Sequence, residues 1–89
     1  MAIKLANSIE YILDNRKTGR QVFEIDSLIS EKRPKWVVLR AYGYNIFKAV
    51  YAYNALRDKL SCMDVVLGRS KFNGKELSEI TIIAKVKNI

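Results

Sequence analysis

Arg16, Lys17 and Arg20 fall within five residues and have no carboxylate among them. Such a cluster can neutralise a phosphate. Its place just before an amphipathic run adds the free N–H groups and positive dipole end of a helix start, which attract anions. A sequence shaped by helix stability alone would put Asp or Glu in that turn, so the cations favour a phosphate-binding loop over a merely solvated basic turn. The stretch from Lys32 to Arg57 holds six cations (Lys32, Arg33, Lys35, Arg40, Lys48, Arg57) and no carboxylate, and Arg69, Lys71 and Lys75 form a third cluster. Tyr42 and Tyr44 flank Gly43 beside Arg40 and Lys48. Exposed aromatics among cations can stack on unpaired bases. Packing in a core or an interface is the other reading, and it is stronger for Tyr42 than for Tyr44.

Other chemistries are excluded or disfavoured by what is missing. The chain has no histidine, so Ser-His-Asp and Cys-His arrangements and histidine metal sites cannot be built. The single cysteine, Cys62, cannot form an intrachain disulfide or a zinc cluster and reads as a small buried apolar residue of a reducing interior. Glu24 and Asp26 lie two apart on a predicted helix and diverge, so they form no acid–base dyad. An enzyme is not expected, nor is a cofactor or metal. Sixteen Lys and Arg against nine Asp and Glu leave +7 and a pI near 9.7, which favours an anionic partner.

The elements that must position these groups follow from periodicity. The 89 residues make a single domain, 1–89, with a thin core that self-association would help to cover. Ser8–Asp14 alternates, Ile9, Tyr11 and Leu13 opposing Glu10, Ile12 and Asp14, and predicts strand β1. Thr18 and Gln21 have capping-box spacing and predict helix α1 from Gly19, with Val22, Ile25, Leu28 and Ile29 inward and Phe23 widening that stripe, before Lys32-Arg33-Pro34 closes it. The apolar run Trp36–Leu39 predicts strand β2, parallel to β1 through a right-handed crossover. Asn45 is then a candidate N-cap for helix α2, whose stripe Ile46, Ala49, Val50, Tyr53, Leu56 and Leu60 faces the sheet. Phe47, Tyr51, Ala52 and Ala55 lie outside that stripe, so α2 is apolar nearly all round and calls for burial on two sides. Met63, Val65 and Leu67 alternate as strand β3, and residues 79–87 as strand β4. Asn73-Gly74 is a two-residue turn between them, which makes a flexible basic arm with little apolar surface to anchor it. Lysines on an exposed hairpin also deter edge-to-edge pairing, an alternative reading of that arm.

The longest apolar run, Ala49–Tyr53, is far short of the ~20 residues that span a bilayer, and residues 1–6 are too short for a signal sequence. No membrane partner is expected, and a cytoplasmic location is.

The segment Val37-Val38-Leu39-Arg40-Ala41-Tyr42-Gly43-Tyr44-Asn45-Ile46-Phe47-Lys48-Ala49-Val50 resembles the signature of the Alba family of archaeal nucleic-acid-binding proteins. There a hydrophobic strand leads into Ala-Arg-Gly-Arg and a helix start reading Ala-Ile-Ser-Lys-Ala-Val. Val37, Ala41, Gly43, Ile46, Lys48, Ala49 and Val50 match, and the family's basic pair falls on Arg16 and Lys17. Tyr42 and Tyr44 replace the two arginines, and Thr18 stands where the family has proline. Arg16 leaves only Lys17 of the pair open to acetylation.

The resemblance, which spans residues 8–88, implies an α+β, Alba-like β-α-β-α-β-β two-layer sandwich: a four-stranded mixed sheet packed on two helices, related to the C-terminal domain of translation initiation factor 3. It implies a homodimer built largely through α2, β3 and β4, for which Phe47, Tyr51 and Ala55 are the candidate contacts. It also implies binding of double-stranded DNA or RNA, or both, largely without sequence preference, by a chromatin or nucleoid protein whose dimers can associate on the nucleic acid. The candidate interface is Arg16, Lys17, Arg20, Arg40, Tyr42, Tyr44, Asn45, Lys48, Arg69, Lys71 and Lys75. An alternative is a subunit of an RNA–protein complex, as in the Alba-like parts of ribonuclease P, acting through RNA and protein assembly. A nuclease is the third reading, and it lacks an evident metal cluster.

Overall fold

The computed structural model describes residues 7–87. The segment 1–6, read above as too short for a signal sequence, lies outside them. The elements are β1 (Ser8–Leu13), α1 (Thr18–Lys32), β2 (Trp36–Tyr42), a 3-10 turn (Gly43–Asn45), α2 (Ile46–Ala55), β3 (Leu60–Phe72) and β4 (Lys75–Val86). The sheet order is β1-β2-β4-β3, with β1 parallel to β2 and the other neighbours antiparallel. The expected α+β sandwich is therefore the observed one.

Both helices pack on one face of the sheet. Side chains alternate across a strand, so β2 sends Val37, Leu39 and Ala41 into the core to meet Leu13, Ile80, Ile82 and Ala84 from the other strands and Ile25, Ile29, Ala49 and Ala52 from the helices. Among the described residues the opposite face has no helix, and it carries Glu10, Trp36, Arg40, Tyr42 and Thr81. No helix of the described residues is long and apolar enough to cross a membrane.

Several expectations about burial are corrected. α2 presents Ala49, Ala52 and Leu56 to the core, not Val50, which is exposed; the small alanines let the helix sit close to the sheet. Leu60 does not continue that stripe: α2 ends at Ala55, and Leu60 opens β3. Phe23 does not widen the α1 stripe but stands 70% exposed. Cys62 is exposed, not buried, because β3 is an edge strand and α2 covers β2 and β4 instead. β3 is bulged between Cys62 and Asp64, which keeps Val65 and Leu67 on the helix side of the sheet, opposite Ile82 and Ile80.

At the far end of the sheet β3 and β4 run on as a ladder to Phe72↔Lys75 and close at Asn73-Gly74, both at positive φ (51° and 78°), as a two-residue hairpin turn requires. The described protein is 44 Å along its longest axis.

Candidate nucleic-acid interface

Because β1 and β2 are parallel, their C-terminal ends lie together and bring the β1–α1 loop beside the start of α2. Gln21, fully buried, organises that junction. Its Oε1 accepts from the Asp14 N–H (2.9 Å), and its Nε2 donates to the carbonyls of Asp14 (3.2 Å) and Arg16 (2.8 Å). Lys48 Nζ reaches the same two carbonyls from α2 (2.8 and 2.9 Å), and Asn45 Nδ2 donates to Asn15 Oδ1 (3.1 Å).

The capping roles expected of Thr18 and Asn45 are therefore not taken. α1 begins at Thr18 after Lys17, neither helix start has a side-chain cap, and Gln21 and Asn45 serve the loop instead. Replacing Gln21 with Leu leaves the Asp14 N–H without its acceptor, which costs roughly 1–3 kcal/mol. Urea denaturation should show that loss, and a variant as stable as the native chain would contradict the latch.

The cations of the loop divide into two kinds. Arg16 is engaged: its Nε lies 2.9 Å from Asp14 Oδ1, its Nη1 3.2 Å from Glu24 Oε1 and its Nη2 3.3 Å from the Tyr11 hydroxyl. Hydrogen bonds from Arg16 hold the Asp14 carboxyl below the usual range. Tyr11, which donates to Glu24 (2.7 Å), has its pKa pushed up to about 12, first by burial and then by that carboxylate. The loop is thus acid-free only as a stretch of sequence; folding brings two carboxylates to Arg16. The side chains of Lys17 and Arg20 are exposed and have no hydrogen bond or ion pair among the described residues. They stand at the open N-terminus of α1, where the backbone also attracts anions.

Tyr44 is 95% exposed beside this loop, whereas Tyr42 is half-buried and packs edge-on against Phe72 of the arm, ring centroids 5.0 Å apart. That contact ties Phe72, still 45% exposed, to β2, and it is the arm's aromatic contact with the body of the sheet among the described residues. Its Arg69 pairs with Glu76 (3.4 Å), while Lys71 and Lys75 are exposed and have no side-chain partner among the described residues. Arg40 lies apart from the loop cluster, on the helix-free face, bound to Glu10 (3.0 Å) and Thr81 (3.3 Å).

Phe47, Tyr51 and Ala55 are exposed on the outer side of α2, and Val65 and Leu67 are exposed on the same side of the sheet. Open clefts between the first turn of α2 and the arm are lined by Ile46, Phe47, Leu67 and Leu77. The Asp14–Arg16–Glu24 group and the Gln21 latch are not among the residues expected from sequence; the i, i+2 spacing of Asp14 and Arg16 is the one local signal for the first. Among the described residues, no three His, Cys, Asp or Glu side chains come together to hold a metal.

These features define a small two-layer α+β protein with a basic loop, a basic arm and an uncovered apolar helix face. The architecture is the Alba fold. The chain is similar to Alba from Thermoplasma volcanium, with a TM-score of 0.80 and 16% identity over 86% of this chain and 99% of that one. It is also similar to ALBA1 from Trypanosoma brucei, with a TM-score of 0.69 and 21% identity over 94% of this chain and 72% of that one. No protein-family model and no curated protein matches the sequence.

Proposed function

We propose that the protein is a non-enzymatic nucleic-acid-binding homodimer that coats or bridges DNA, RNA or both, as a nucleoid-associated protein of the cytoplasm. The observation that carries this reading is the unpaired Lys17 and Arg20 at the open N-terminus of α1, at the end of the sheet that also holds the exposed Tyr44. Lys71 and Lys75 extend the basic surface along the arm. Arg16 and Lys48 act in this account as struts that hold the loop rather than as primary phosphate ligands. Phe47, Tyr51, Val65 and Leu67 form the face that a second copy covers.

Fluorescence anisotropy with labelled duplex DNA and a stem-loop RNA, each over a range of salt, tests the proposal. Binding should weaken linearly in log affinity against log salt for both ligands. Tyr44→Ala should lower affinity for the looped RNA by about 1–3 kcal/mol per base stacked and leave duplex DNA nearly unchanged. Failure of the native protein to bind either ligand, or binding indifferent to salt, would refute the proposal.

A second reading, an assembly subunit of an RNA–protein complex, is favoured by one observation: Phe23 stands exposed on α1 over a shallow cleft with Leu28, Glu24 and Glu31. In that case nucleic-acid binding requires a protein partner seated on Phe23.

A further inference from the structure

The end of the sheet remote from the β1–α1 loop carries a second concave site. It lies where β1 and β2 begin, about 20 Å along the seven residues of β2 from Tyr42. A cleft of about 520 Å³ is lined there by Asn7, Arg33, Pro34, Lys35, Trp36, Lys85 and Val86. Three of these residues are cations, and among the described residues no carboxylate lines the cleft.

The backbone that holds the cleft is fixed. The Asn7 carbonyl accepts from the N–H groups of Lys35 (2.8 Å) and Trp36 (3.3 Å), and the Val86 N–H donates to the Lys35 carbonyl (2.8 Å). Trp36 and Lys85 face one another as cross-strand partners in β2 and β4. The side chains of Arg33, Lys35 and Lys85 are exposed, and none has a hydrogen bond or ion pair among the described residues. Three unpaired cations around a concavity leave a concentrated positive potential that an anion relieves. Half-buried Trp36 lines the cleft, and an indole is a side chain on which a base can stack. The volume lies within the range of small-ligand sites.

We propose that this cleft binds a nucleotide unit, its base on Trp36 and its phosphate on Arg33, Lys35 and Lys85. The nucleotide is either free or part of a strand. In the second case the site rests on the proposed function and gives the protein a hold on nucleic acid at both ends of the sheet.

Trp36 is the only tryptophan of the chain and reports on its own site. The experiment titrates the 89-residue chain with adenosine monophosphate and, separately, with a dye-labelled oligoadenylate strand, following Trp36 emission and strand anisotropy together. The comparison variant is Lys35→Ala/Lys85→Ala; both lysines are exposed, so the core is untouched, which circular dichroism checks.

Saturable change of Trp36 emission, about tenfold weaker in the variant, supports the site. Change with the mononucleotide identifies a free nucleotide as sufficient; change with the strand alone identifies polymer as the ligand. Strand anisotropy that rises while Trp36 emission stays constant with both ligands overturns the cleft and leaves the proposed function standing. Absence of both signals overturns both. An emission change of equal affinity in the variant also overturns the assignment, because the cations would then take no part.

Discussion

Phe47→Asp should turn the proposed dimer into a monomer. The native protein should scatter light with twice the 10.2 kDa mass of the chain, and the variant with that mass alone. Phe47 and Tyr51 stand 64% and 56% exposed, four residues apart on one side of α2, and Leu67 of β3 is 73% exposed. Large apolar side chains grouped in this way mark an interaction surface on a protein of this size. A two-fold interface uses the same patch on both copies, so one substitution enters it twice. Each carboxylate would be buried without a partner, at a cost of order several kcal/mol. In the single chain Phe47 faces solvent, so the fold is untouched and circular dichroism should not change. A native protein already monomeric, or a variant that remains dimeric, would contradict the interface.

The parts of the fold that were legible in the sequence are those written in a local period. The alternation of Ile9, Tyr11 and Leu13 marks β1, and Asn73-Gly74 marks the β3–β4 hairpin because few residue pairs accept two positive φ angles. The parallel pairing of β1 and β2 follows from a helix-length crossover.

Where a segment is apolar all round, period cannot choose a face. α2 buries Ala52 and exposes Val50 because close approach to the sheet rewards small side chains over hydrophobicity, a property of the helix–sheet distance that the sequence does not state. Leu60 satisfied the helical spacing, yet the chain turns after Ala55 and enters β3 there.

The site was legible as a place more than as a set of roles. Arg16, Tyr44, Asn45 and Lys48 do share one end of the sheet. The partners that decide their roles come from elsewhere: Glu24 from the second turn of α1, Tyr11 from β1, and the carbonyls of Asp14 and Arg16, which two different elements hold from two sides. Residue type marked Arg16 as a phosphate ligand; in the fold it is half-exposed and paired with Asp14 and Glu24. Tyr42 and Tyr44 look alike in sequence, but only Tyr42 has an aromatic neighbour to pack on.

That division of labour sets the second large effect. Lys17→Ala/Arg20→Ala removes two unpaired cations from each protomer without touching the Gln21 latch or the core. Each duplex phosphate that the variant no longer neutralises lowers the steepness of log affinity against log salt by about 0.9, and all DNA sequences should suffer alike because phosphates carry no sequence information. Arg16→Ala should act differently, loosening the loop by freeing Asp14 and Glu24 rather than by withdrawing a phosphate ligand.

The most direct measurement is therefore the salt dependence of duplex binding for the native protein and for Lys17→Ala/Arg20→Ala, side by side on two unrelated sequences. Weaker binding and a visibly shallower slope are expected for the variant, equal on both sequences. An unchanged slope would place the phosphate-binding cations elsewhere on the protein and contradict the assignment of the loop.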